Sequence, residues 1–517
     1  MRLVLALAAA LLTGCASVRI DVPRPVEHAI DDPQETALAR NFAAQLTATP
    51  GQSGVRLMPS GQEAFLARAA LAHAAQSTLD LQYYIVAPDT TGTLLIYQVL
   101  RAAERGVRVR ILIDDVAAGG RDADLAALAA HPNVEVRVFN PFARRQWAGL
   151  GRVLDYLGDG ERLNRRMHNK LWIADNAAAL IGGRNLGDAY FNADSQSNFA
   201  DLDVLAVGPV VAEASRSFDE YWNSEWAVPI QAFTGLHADA GEVQRLQSAM
   251  EARVGTFRNS DYARALRATD LAQLVRNGRL AVTPTYATVL YDPPAKVGRN
   301  AAEPAAHVMS KLREAIEAAR NEVTLVSPYF VPHEQGISLL CELQRRDVHV
   351  RVLTNSLAST DVPVVHGAYV RYRPRLLACG VQLYEIRPGT VDSSGTRSAL
   401  SSGVSLHAKA IVVDHRLVLV GSMNLDPRSR LSNTEIGVLI DSESVAHDLD
   451  AWFDAATSLD HSFKPELDVP GDPSGSLSWV GRSDDGLVVR YGSEPLASWW
   501  QRAVSGALGA VVPEDWL

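Results

Sequence analysis

The sequence predicts an α/β protein built as two similar lobes, with one functional site where they meet. Three observations carry this. Residues 79–115 and 323–355 each read as strand, polar loop, amphipathic helix, turn and strand, so a βαβ unit occurs twice. A histidine–lysine stretch recurs, "MHNKLWIADNAAALIGGRN" at 167–185 and "LHAKAIVVDHRLVLVGSMN" at 406–424. Each repeat closes with an aromatic helix, "SFDEYWNSEW" at 217–226 and "DLDAWFDAA" at 448–456. Internal duplication of this kind decides the architecture before any single element does.

The chain opens with one arginine, an apolar run and small residues, which predicts a signal peptide over 1–14. "LTGC" (12–15) matches a lipobox, so Cys15 is the expected lipid anchor and 15–60 a tether and lead-in. The first lobe is placed at 61–232. A largely helical, polar connector covers 233–303 and ends in "DPPAKVGRNAAEP". The second lobe covers 304–462 and a C-terminal extension 463–517. In that extension Trp499, Trp500, Val504 and Leu508 share a helix face, expected to pack into a core. Cys341 is expected as a buried thiol on the inner face of a helix, with a bond to Cys379 as the alternative.

At 517 residues the chain holds two or three domains, and its 47% hydrophobic and 21% charged residues are those of an ordinary globular protein. A net charge of −10 gives no overall basic field, which argues against nucleic acid as a partner. The leader's apolar run is too short for a comfortable transmembrane helix, and no other segment reads as membrane-spanning.

The doubled stretches carry the chemistry. His168 and Lys170 recur as His407 and Lys409, and alternation along an extended segment puts each pair on one face. Asn185 and Asn424 each follow their histidine by 17 positions, after "GG" and "GS", where glycine admits close backbone approach. A lysine beside a histidine disfavours imidazolium unless an anion lies between them, and phosphate is such an anion. Asp201 in "NFADLDV" and Glu435 in "NTEIGV" offer carboxylates to orient the imidazoles. One imidazole would attack phosphorus while the other handles the proton, and the lysines and asparagines would hold the oxygens. No cofactor is called for, and the lysines supply the charge that a metal would bring. Asp175 and Asp414, seven positions after each histidine, are expected to serve the hairpin turn.

These residues match, twice, the HxKx4D signature of the phospholipase D superfamily with its following G-G/S-x-N, and the chain resembles its C-type bacterial cardiolipin synthases over about 60–515. The resemblance rests also on "IGGRNLGDAYF", "DLDVLAVGPVV" and "TNSLASTDVPVVHGAYVRYRPRLLACGVQLYE". It implies two α/β/α sandwich lobes related by pseudo-twofold symmetry. It further implies a ping-pong reaction through a phosphatidyl-histidine, with His168 as nucleophile and His407 as acid/base. Phosphatidylglycerol would be the acceptor, and phosphatidylethanolamine or a second phosphatidylglycerol the donor. A membrane surface is then a partner, facing the periplasm from the inner or outer membrane, and an accessory protein is left open.

Several residues have competing readings. Ser422 serves phosphate or a turn. Arg165 and Arg166 meet headgroups or form a solvated run. Tyr84 and Tyr329 end a strand in each lobe and are expected to pack there, and His366 has no repeat partner. The alternative functions are a hydrolytic phospholipase D or phosphodiesterase, sharing every catalytic residue, and a non-catalytic lipid-anchored adaptor.

Overall fold

Two mixed sheets share one strand order. In the first, β1 (Ser53–Met58), β8 (Asp203–Val207), β6 (Ala178–Gly182), β5 (Leu171–Ala174), β2 (Thr78–Tyr83), β3 (Arg108–Asp114), β4 (Val134–Phe139) and β9 (Ala227–Pro229) lie side by side. In the second, the sequence is β10 (Thr283–Tyr291), β17 (Ile436–Asp441), β16 (Leu417–Gly421), β15 (Ala410–Val413), β11 (Glu322–Val326), β12 (His349–Asn355), β13 (Gln382–Ile386) and β18 (Ser462–Leu467). The β2–β3–β4 and β11–β12–β13 pairings are parallel, the product of the βαβ units, and the remaining pairings are antiparallel. This computed structural model describes residues 18, 22–144, 148–194, 197–233, 238–276, 280–298, 308–389, 404–483 and 485–511. Residues 1–17, with Cys15 and the leader, lie outside them.

Antiparallel pairing of β1 with β10 joins the two sheets into one of 18 strands. Both of these strands come from stretches read as lead-in and connector. Each is paired on both sides, β1 between β8 and β10 and β10 between β1 and β17, so their role emerges only from pairing across the lobes. Near the site a separate two-stranded parallel sheet, β7 (Asn198–Ala200) with β14 (Val404–Leu406), links one lobe to the other.

Helices cover the sheets: α1 (Gly61–Ala74), α2 (Thr90–Glu104) and α3 (Pro209–Trp222) in the first lobe, then α4 (Ala240–Phe257) and α5 (Asp261–Ala268) in the connector. The second lobe carries α6 (Val308–Glu317), α7 (His333–Arg345), α8 (Pro363–Tyr369) and α9 (Glu443–Thr457). Side-chain caps start them: Ser60 accepts from Glu63 N–H, Asp89 from Gly92 N–H, and Asp239 forms a capping box with Glu242. One buried cluster lies between the lobes, where Leu171, Ile173 and Phe218 pack with Leu406, Val412 and Phe453. Burial of that shared face holds the two strand mouths together.

Two expectations change here. The final helix, α10 (Trp499–Val511), leaves Trp499 74% and Trp500 61% exposed, so these rings are surface and not core. The periodicity was right for a helix, but a face of tryptophans does not say what covers it. Cys341 and Cys379 form a disulfide and are half-buried, in place of a free buried thiol. Folding brings the Cα atoms at the middle of α7 and just past 373–378 to 5.4 Å, a closeness across 38 residues that spacing alone does not encode.

Candidate active site

Both His–Lys segments are extended pieces at the mouths of β5 and β15, and each is clamped by the opposite lobe. Met167 bridges Thr434, and His168 N–H donates to Thr434 O at 2.9 Å. His407 N–H donates to Ala200 O at 2.8 Å. The rings are then crossed between lobes. His168 Nδ1 lies 2.9 Å from Glu435 Oε2, and His407 Nδ1 lies 2.5 Å from Asp201 Oδ2. An ionised carboxylate only accepts, so each Nδ1 carries the proton and leaves the lone pair on Nε2. Neither Nε2 has a hydrogen-bond partner among the described residues.

Each carboxylate is seated differently. Glu435 accepts from Ser422 Oγ at 2.5 Å and Ser429 Oγ at 2.7 Å. Asp201 accepts from Leu202 N–H at 2.8 Å, and a Cβ added at Gly183 would fall 2.1 Å from its Oδ1. The glycine therefore makes room for the shorter carboxylate, not for a ligand as its motif suggested. Ser422, at the matching place, bonds the longer one, which resolves its two readings in favour of neither.

Lys170 Nζ donates to His168 O at 2.7 Å, and Lys409 Nζ bonds His407 O. Asn185 Nδ2 donates to Tyr190 Oη at 2.9 Å, while its Oδ1 accepts from Ile85 N–H at 3.1 Å. Asn424 Oδ1 is buried with no hydrogen-bond partner among the described residues. The structure thus brings all eight of these His, Lys, Asn and carboxylate residues into one buried locus between the lobes.

Aromatic rings wall the imidazoles. Tyr84 sits edge-on to His168 at 5.2 Å, with Lys170 Nζ 5.7 Å over its face. It is a site residue and not strand packing, because the chain turns at the end of β2 and presents it to the mouth. Tyr190 and Phe199 lie 5.3 Å and 5.1 Å from the His407 ring. Sequence reasoning missed both. Tyr190 stands five residues past Asn185, where the second repeat has Ser429, and that mismatch within the repeat was its only mark.

Burial dominates the electrostatics. It pushes His168 down to about 4, against the pull of Glu435 and with the help of Lys170. Burial likewise lowers His407, helped by Lys409. Asp201 is pushed up by burial, yet His407, Lys409 and Arg184 outweigh this and hold it below its ordinary value. Glu435 is held down in the same way by His168, Lys170 and Ser422. Burial lowers Lys409 to about 8 and Lys170 well below its ordinary value, and each nearby ammonium disfavours its neighbours. The resting pair in each crossed contact is thus neutral imidazole with carboxylate. Asp426, near Lys409 and fully buried, is pushed up to about 7 by burial.

Other candidates lie elsewhere. The Asp175 carboxylate accepts N–H bonds from Gln76, Ser77 and Thr78, and Asp414 from Arg320, Asn321 and Glu322. Both sit at hairpin turns with φ of 55° and 53°, at the end of the strand pair away from the histidines. Arg166 is buried against Leu163 O, Asn140 O and Asp114, so it is neither solvated nor open to a headgroup. Arg165 bonds Gly298 O and Glu161. Tyr329 Oη donates to Asp361. His366 is buried 3.6 Å from Glu494, beneath the C-terminal extension. Among the described residues, Glu322, His415 and Asp450 form one group of metal-ligating type. It lies at the hairpin end, and the Arg351 guanidinium, 2.6 Å from Glu322, already supplies a cation there.

The model of the family "Cardiolipin synthase, PLD-like domain" matches twice, at 69–222 and 312–457. The chain is 39% identical over 474 residues to cardiolipin synthase C of Escherichia coli (strain K12), covering 90% of this chain and 97% of that protein. It is 27% identical over 389 residues to cardiolipin synthase A of Pseudomonas entomophila (strain L48), covering 74% and 64% of the two chains. Among solved structures, phosphatidylserine synthase of Haemophilus influenzae Rd KW20 superimposes with a TM-score of 0.54 at 12% identity, over 82% of this chain and 92% of that one, a likeness of fold.

Proposed function

The chain belongs to the phospholipase D-like family of cardiolipin synthases, and from that premise we propose that it makes cardiolipin by transferring a phosphatidyl group to phosphatidylglycerol. The donor is phosphatidylethanolamine or a second phosphatidylglycerol. The bound phosphodiester anion favours imidazolium, so His407 first takes a proton from solvent on Nε2. His168 Nε2 then attacks the donor phosphorus, the bond from phosphorus to the headgroup oxygen breaks, and His407 Nε2–H delivers its proton to that oxygen. His407 then takes the proton of the acceptor hydroxyl, whose oxygen displaces His168 from phosphorus. Lys170, Lys409, Asn185 and Asn424 hold the non-bridging oxygens, and the charge of the phosphodiester relieves the crowding of ammonium groups.

The observation that carries this reading is the pair of crossed contacts, His168 with Glu435 and His407 with Asp201, each leaving Nε2 unengaged. Roles for the two histidines follow the family, since the two sets are nearly equivalent in geometry. The same reading has the protein in the cell envelope, tethered by lipid on Cys15 and facing the periplasm. The exposed Trp499 and Trp500 support a membrane surface as partner. Among the described residues no helix is long and apolar enough to cross a membrane.

The test is to incubate the detergent-solubilised protein with labelled phosphatidylglycerol, with and without phosphatidylethanolamine, in the presence of chelator. Cardiolipin formed by the wild type and lost in His168→Ala and His407→Ala is the expected result. Phosphatidic acid as sole product would replace the transferase reading with a hydrolytic one. No turnover, with headgroup binding retained, would leave the adaptor.

A further inference from the structure

The two lobes differ where the repeat should make them alike. Val86 bridges Leu186 and Phe330 bridges Leu425 at matching places, which sets the register between lobes. In the first lobe the wedge between α1 and α2 is filled. Phe191 packs on Phe65 at 5.6 Å, Phe257 and Tyr262 of the connector each lie 6.3 Å from Phe65, and Tyr262 Oη bonds Phe191 O. In the second lobe the same wedge, between α6 and α7, is an open cavity of about 360 Å³. Met309 stands in the register place of Phe65, and Arg430 in that of Phe191. Neither of these two register places carries an aromatic ring, and no described helix after α9 repeats the covering role of α4 and α5.

The lining is mostly apolar, Leu312, Ile316, Phe330, Leu339 and Leu340 contributing to it. Of its charged side chains, Arg313 and Glu334 are each ion-paired, with Glu317 and Arg375 respectively. Arg430 also lines it, is half-buried, and has no side-chain ion pair or hydrogen bond among the described residues. Leu425 and Asp426 form part of the wall, and they directly follow Asn424 of the active site. A mostly apolar slot with the unpaired Arg430 guanidinium, its wall beginning one residue after Asn424 of the site, fits an amphiphile with a hydrocarbon tail and an anionic head. We propose that this cavity holds a fatty acyl chain of a phospholipid substrate while its phosphate lies between His168 and His407. The assignment rests on the transferase reading of the site, and it makes the second lobe the one that grips lipid tails.

The test uses two readouts. In the first, cis-parinaric acid, a fluorescent fatty acid, is titrated into the full-length His168→Ala protein and displaced with phosphatidylglycerol. Leu339→Trp and Met309→Trp each fill the cavity from a different wall, at positions that are half-buried and tolerate a larger ring better than the core. Each should weaken probe binding at least tenfold. In the second, the kcat/KM ratio of dipalmitoyl to dihexanoyl phosphatidylglycerol is measured in the otherwise native protein, and it should fall at least tenfold in both variants. Probe affinity unchanged by both tryptophans would overturn the proposal. So would lost probe binding with an unchanged chain-length ratio, which would mark a site for free fatty acid alone. Probe binding that is tryptophan-sensitive and displaced by phosphatidylglycerol, without any transfer in the native protein, would uphold the chain site and overturn the transferase reading instead.

Discussion

The carboxylate of Asp201 lies 2.5 Å from Nδ1 of His407, a residue 206 positions away in the other lobe, and Glu435 reaches back 2.9 Å to His168. Neither half of the duplication therefore holds a complete histidine–carboxylate pair of its own. The lobes cannot part without disarming both imidazoles.

This crossing predicts which half-reaction each carboxylate serves. Glu435→Gln deprives His168, the proposed nucleophile, of its orienting anion, so formation of the proposed phosphohistidine should slow by roughly 10³-fold or more. Asp201→Asn acts on His407, the proposed proton carrier. With a p-nitrophenyl phosphodiester donor, whose leaving group needs no proton, Asp201→Asn should lose far less in the first step than Glu435→Gln. Rapid-quench measurement of the labelled protein checks this, and equal losses would contradict the assigned roles.

The pH profile should be set on its alkaline side by the two buried lysines. Burial lowers Lys170 well below its ordinary value and Lys409 to about 8, and each ammonium is charged below its own pKa and lost above it. Transfer should therefore decline as pH rises through about 8, because the positive charge on the phosphate oxygens disappears. Lys409→Arg, which stays protonated, should abolish the part of the decline near pH 8 and leave only the part that belongs to Lys170, even if its rate is lower. His168, near 4, stays neutral and nucleophilic across the whole range, so it imposes no acid limb above about pH 4.

Asp175 and Asp414 should matter to stability before chemistry. Asp175→Ala strips the acceptor from three N–H groups at the buried or half-buried start of β2, a loss of roughly 3 kcal/mol in urea unfolding. The donors to Asp414 at Arg320 and Asn321 are exposed, so water replaces the lost bonds and Asp414→Ala should cost less. At a temperature where both variants remain folded, kcat should stay within about threefold of wild type.

Breaking the Cys341–Cys379 bond should lower stability by about 4 kcal/mol, the loop entropy expected for a separation of 38 residues. Unfolding of the wild type with and without dithiothreitol, beside Cys341→Ser, measures it. A reductant effect absent from Cys341→Ser assigns the loss to this bond.

Trp499→Ser with Trp500→Ser should weaken binding to phosphatidylglycerol vesicles about tenfold, the loss of exposed rings that suit a membrane interface. Sedimentation with vesicles, using protein lacking residues 1–15 so that no anchor contributes, isolates this surface. Unchanged sedimentation would remove α10 from the membrane-facing side.

The sequence by itself determined the duplication, the class of fold and the eight residues that meet at the site, because repeated spacing and strand periodicity are local properties. It placed Asp201 and Glu435 as matching carboxylates but not their partners, since pairing depends on how one lobe docks on the other. Tertiary structure alone decided that each carboxylate crosses. It also turned Gly183 from a ligand contact into room for Asp201, and brought Tyr84, Tyr190 and Phe199 around the imidazoles. Cys341 and Cys379, Trp499 and Arg166 were misplaced for the same physical reason. Periodicity states that a residue has an inner or outer face, whereas its partner is set by contacts between segments far apart in the chain. The open wedge beneath Arg430 is the clearest case: the repeats differ at Phe65 against Met309 and Phe191 against Arg430, and only packing showed that these differences leave a cavity beside the site.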